Sequence, residues 1–194
     1  MVFGWINVFQ LIIIAIMMAP NIQYALRHKN TAHVCTNRVM HILEQVGRYA
    51  CILFMVFSFD SRGFGFPSIE LFLIYFLGIP LLLIIYLGLW EIQLGDNRLA
   101  PVYVIVGLAL LPCGMVFGTT VPWTIAFILL LAAVGPILLQ NVLPEPSKGT
   151  EMALSIVPVL IFLLCGITLV NLPLIASAIL FGIAHPYITW KTMK

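Results

Sequence analysis

Charge is scarce in this sequence. Of 194 residues, nine are Lys or Arg and seven are Asp or Glu, 8% in all. A soluble domain carries about 25%. With 62% of residues apolar, no globular core could hide the apolar surface, so lipid must be the solvent for most of the chain. The formal net charge of +2 is too small to mark a nucleic-acid-binding face. Cysteine is scarce too. Cys35, Cys51, Cys113 and Cys165 include no C-x-x-C pair, and three of the four lie in apolar runs. That is poor material for a disulfide framework. There is no glycine-rich phosphate loop. Alternation of apolar and polar residues is also missing, which excludes a membrane β-barrel and leaves helices as the spanning elements.

What is present is a series of continuous apolar runs. Seven stand out, at 3–25, 41–59, 68–90, 100–118, 122–140, 152–170 and 173–190. Each is near the roughly 20 residues that a helix needs to cross a bilayer. The first has no Lys or Arg before it and no small-residue cleavage site, so it reads as a retained helix and not as a signal peptide. The sixth and seventh runs are separated at Asn171-Leu172-Pro173, which reads as a tight turn. The expected fold is therefore all-α: a single polytopic membrane domain over 1–194 with seven transmembrane helices.

The last four runs contain an internal echo. Residues 111–136 and 162–186 both show Cys-Gly, a short polar turn, Pro, an apolar helix and a second Pro. A weaker version runs from Pro67 to Pro80, with Cys51 in the helix before it. The chain thus reads as one helix followed by three helical hairpins, at 41–90, 100–140 and 152–190. Chance recurrence of Pro and Gly in membrane helices is the competing explanation.

Basic residues set the expected orientation. With the N-terminus outside, Arg27, Lys29, Arg38, Arg48, Arg98, Lys148, Lys191 and Lys194 all fall on the cytoplasmic side, and Arg62 alone falls outside. Cytoplasmic loops are enriched in Lys and Arg. The four tryptophans agree, with Trp5 and Trp123 at outer ends and Trp90 and Trp190 at inner ends. The C-terminus is then cytoplasmic, and the expected location is the cell membrane, in the manner of a small bacterial inner-membrane protein.

The best candidate cluster is "HILEQVGRYAC" at 41–51. His41, Glu44 and Arg48 recur at i, i+3 and i+7, so they share a helical face, and Glu44 precedes Arg48 by four, the favourable order for an ion pair. Charges that enter a membrane helix are costly and face protein or water. Such a face can bind a solute or relay protons; it can also be an interfacial ion pair with Arg48 reaching for the headgroups. His185, followed by Pro186, sits near the cytoplasmic end of the seventh run at the same expected height. A common inner vestibule of His41, Glu44, Arg48 and His185 is the sharper expectation, and a histidine facing headgroups the plainer one.

Other polar residues have local explanations. Ser68 and Glu70 read as a cap and a first-turn acid, and Thr150 and Glu151 as the same pattern before the sixth run. Asn7, Gln10, Asn21 and Gln23 read as amides that hold helices together. Ser155, Thr168 and Ser177 can bond their own helix backbone. Neither Cys113 and Cys165 nor His28, His33 and Cys35 make a convincing metal or nucleophile site, so no cofactor or metal is expected.

Two function classes follow. Helix count, the echo, and Pro80 interrupting the third run favour a transporter-like or channel-like protein that handles a small solute. Short loops and the lack of acids deep in the membrane favour an accessory, immunity or sensor protein. An enzyme stands third, since no acid–base–nucleophile set stands out. The expected partners are the lipid bilayer and, under the first class, a small solute; nucleic acid is not among them. A polar cavity that reaches the midplane separates the two classes.

Overall fold

The computed structural model describes residues 2–3, 6–27, 37–57, 66–94 and 147–193. These form five helices: α1 (Val8–Arg27), α2 (Arg38–Val56), α3 (Ile69–Leu94), α4 (Lys148–Thr168) and α5 (Leu172–Thr192). Before α1, Val2–Phe3 and Ile6–Asn7 pair as a two-residue antiparallel ladder. The first apolar run is therefore helical only from Val8, not from residue 3. The expected fourth and fifth spans lie outside the described residues, as does the 100–140 hairpin.

Four of the five helices, α2 to α5, are long and apolar enough to cross a membrane. Their 19 to 26 residues correspond to about 28–39 Å at 1.5 Å per residue. Their outward faces are apolar as well: Ile42, Val46, Leu77, Leu81 and Ile183 are each more than half exposed. This is the build of a helical membrane protein.

The helix ends follow from local chemistry. Asn37 accepts from the Met40 amide at the start of α2, and Ser68 Oγ accepts from the Leu71 amide at the start of α3. At α4 the cap differs from the expected one. Ser147 is the N-cap and Thr150 is the third helical residue, the two closing a reciprocal capping box. The helix accordingly begins at Lys148, earlier than residue 152. Pro20, Pro80, Pro158 and Pro186 all lie inside continuous helices, so Pro80 does not interrupt α3. Neighbouring helices can absorb the lost backbone bond inside a bundle.

α4 turns into α5 through a tight motif. The Val170 amide bonds the Ile167 carbonyl, and the Asn171 amide bonds the Gly166 carbonyl at 2.8 Å. This is the paired bonding of a Schellman motif, and it places Val170 at φ 52° where glycine is usual. Asn171 then caps α5 by accepting from the Leu174 amide, and its Nδ2 donates to the Phe54 carbonyl at the end of α2.

The helices form a circuit. α2 lies against α5, α5 against α4, and α4 against α3, while α1 touches both α2 and α3 and closes the ring. α4 and α5 thus pack as a hairpin, whereas α2 and α3, though consecutive, take different partners. α1 and α3 run parallel, tied by Gln10 Nε2 donating to the Tyr75 hydroxyl (3.0 Å) and Asn21 Nδ2 to the Tyr86 hydroxyl (2.6 Å). Residues eleven apart return to one helix face after about three turns, so both bonds lie on a single seam. These amides hold helices together as expected.

Candidate functional site

Glu44 stands on the buried stripe of α2 with Gly47, Cys51 and Met55. The spacing of three and four residues puts the whole stripe against α5. Gly47 is what allows the approach: a Cβ there would meet the Phe181 backbone nitrogen at 2.8 Å and its Cα at 2.9 Å. With the backbones this close, the Glu44 carboxylate reaches across the interface. Its Oε1 lies 2.9 Å from His185 Nδ1 and also takes the Arg48 guanidinium. Its Oε2 lies 3.9 Å from His41 Nδ1. The structure therefore brings His41, Glu44, Arg48 and His185 to one point. They differ in exposure, though. Glu44 is 5% exposed, whereas the His41 side chain is 41% exposed and lies at the edge of the cluster.

An ionised carboxylate only accepts hydrogen bonds. A neutral His185 must then donate from Nδ1, which leaves Nε2 as an acceptor. The imidazole stacks on the Phe181 ring at 4.7 Å and 14°, and the Arg48 guanidinium lies 5.8 Å from the same ring. Phe181 thus holds both nitrogenous groups in place.

Arg48 and His185 form part of the wall of a cavity of about 810 Å³ to which all five helices contribute. The cavity runs from Ser147 and Lys148 at the start of α4 to Phe162. From Lys148 to Phe162 is about 21 Å of helix, roughly two-thirds of α4. Phe162 and Phe181 meet edge to face at 6.0 Å and make the floor. Beyond the floor, Cys165, Leu174, Ala178 and Thr168 are completely buried.

The cavity has two unlike walls. The α2–α5 wall carries Arg48, His185 and Thr189. The α1–α3 wall carries Tyr24, Tyr86 and Trp90 beside Asn21 and Gln93, with Tyr24 and Tyr86 ring centroids 5.4 and 6.3 Å from that of Trp90. At the rim, Gln93 Nε2 donates to Glu151 Oε1 at 3.5 Å. Sequence reading missed this aromatic wall. Tyr24, Tyr86 and Trp90 are ordinary membrane-helix residues, and only the α1–α3 seam gathers them. It also missed the burial of Glu91, which is 4% exposed on α3. Ser155, Thr168 and Ser177 bond carbonyls of their own helices, as expected. Cys113, His28, His33 and Cys35 lie outside the described residues.

No protein-family model matches the chain, and neither a curated protein nor a solved structure is similar to it. The functional reading therefore rests on this geometry.

Proposed function

We propose that the protein is a membrane-embedded carrier for a small solute, resting with its binding cavity open toward the cytoplasm. The observation that carries this reading is the cavity itself: lined from five helices, with polar side chains from each of them, reaching past the midpoints of α2 and α4 and ending at Phe162 and Phe181. A packed accessory bundle has no need of such a space. Its volume falls within the roughly 300–1,000 Å³ of small-molecule sites. The cavity mouth lies at the Lys148 end of α4, the side that the excess of Lys and Arg assigns to the cytoplasm. In this reading the chain has seven spans in a bacterial cell membrane, with the N-terminus outside.

Uptake into proteoliposomes tests the proposal, using small labelled carboxylates, amines and neutral solutes. Ser155→Trp fills the cavity from α4 and is expected to abolish uptake at unchanged reconstitution yield. Uptake no greater than in protein-free vesicles, for every solute class, would sink the carrier reading and favour the accessory or sensor one.

A further inference from the structure

The two walls define what the cavity is built to hold. Lys148 and Glu151 both line the mouth, where their charges offset each other. Deeper, Arg48 and His185 face the cavity, while Glu44 sits behind them and is not part of the wall. A solute at that depth therefore meets a guanidinium and an imidazole, not the carboxylate. A guanidinium has five N–H donors, enough to hold Glu44 and a second anion together. Opposite stand the rings of Tyr24, Tyr86 and Trp90.

Charge bookkeeping then decides the coupling. In the empty cavity Glu44 and Arg48 cancel, and a neutral His185 adds nothing. A bound monoanion leaves one uncompensated negative charge beside the partly buried Arg48 and His185. One proton on His185 restores neutrality, and histidine is the side chain that exchanges protons near neutral pH. The groups facing this region are His41, Glu44 and Arg48 on α2, and Lys148 and Glu151 on α4. α1 and α3 contribute Tyr24 and Tyr86 to the cavity wall, the Tyr86 hydroxyl being engaged by Asn21 and the Met17 carbonyl, while the buried Glu91 of α3 is not part of that wall. Among these, His185 alone lines the cavity and can take a proton without breaking a compensated pair.

We infer that the cavity binds a small ring-bearing carboxylate together with one proton, the carboxylate on Arg48, the proton on His185, and the ring against Tyr24, Tyr86 and Trp90. This inference rests on the carrier reading for its purpose but not for its test. The proton comes from water at the open mouth and leaves with the solute, so the unit that binds is electroneutral.

Binding to the purified full-length protein in detergent micelles tests this. The probes are benzoate, benzylamine and benzyl alcohol, which share a ring and differ in charge. Titration calorimetry in buffers of different ionisation enthalpy counts the protons exchanged, and the part of the tryptophan fluorescence change that Trp90→Phe removes reports occupancy. Benzoate is expected to bind, taking up close to one proton above neutral pH. The sign follows from the linkage: binding favours protonated His185, so affinity is highest at low pH and is lost as pH rises. Over the range in which one proton is taken up, each pH unit should lower the affinity about tenfold. His185→Gln should keep benzoate binding but flatten its pH dependence; the calorimetric proton count on the unmutated protein stands if that variant misfolds. Preference for benzylamine or benzyl alcohol overturns the anion assignment and leaves the carrier reading intact. Benzoate binding without proton uptake overturns the coupling. Proton-linked benzoate binding with no uptake of any solute into proteoliposomes supports this inference and overturns the carrier reading alone.

Discussion

His185 Nδ1 lies 2.9 Å from Glu44 Oε1 across the α2–α5 interface, although 141 residues separate the two in the chain. The contact joins the cavity wall to a buried carboxylate. It makes the ionic state of Glu44 the determinant of how both His185 and Arg48 are held.

Removing that carboxylate should therefore be felt at both partners. Glu44→Gln leaves Arg48 without its counter-charge and His185 without a charged acceptor. A double-mutant cycle of Glu44→Gln with His185→Gln, read by thermal unfolding in detergent, should give a coupling of roughly 1–2 kcal/mol. Additive losses would mean that the 2.9 Å contact contributes nothing to stability.

Gly47 sets the distance at which α2 and α5 meet. Gly47→Ala places a methyl group against the Phe181 backbone and must push the helices apart, for a loss of about 1–3 kcal/mol. Gly88→Ala is the control, since nothing lies within 4 Å of its added Cβ. It should be neutral or should stabilise α3 by about 0.5–1 kcal/mol. Equal effects of the two substitutions would refute the close-packing argument.

Val170 occupies a left-handed conformation at φ 52° that disfavours a β-branched side chain. Val170→Gly relieves that strain at some cost in unfolded-chain entropy. A net gain of about 0.5–1 kcal/mol in stability is expected. A lower midpoint of thermal unfolding in Val170→Gly would show that the side chain's contacts outweigh the strain.

Orientation has its own measurement. In a background with the four native cysteines replaced, Lys148→Cys should react with an impermeant thiol reagent only in opened cells. Glu70→Cys, at the other end of the bundle, should react in intact cells. The reverse pattern would turn the cavity mouth to the outside.

The sequence by itself determined the solvent of this chain and the faces of its helices. So little charge among so many apolar residues pointed to lipid, and four of the five described helices are long and apolar enough to cross a membrane. The 3.6-residue period alone aligns Glu44 with Arg48, and the place of His185 near the end of its run made a common height with that pair an expectation. It also made Asn171-Leu172-Pro173 legible as a turn, because a capping amide and a proline act locally. Other local readings failed by one step. Thr150 was a plausible cap, but Ser147 outcompetes it by closing a box, and Pro80 is carried inside an unbroken helix. What only the tertiary structure decided is which helix stands beside which. In lipid, one apolar face attracts another no better than it attracts acyl chains, so partners are chosen by close approach at small residues and by polar bonds between distant segments. Gly47 against Phe181 and Asn21 with Tyr86 are choices of that kind. They depend on residues far apart in the chain, and they alone turn His185 toward Glu44 and leave a cavity between the helices.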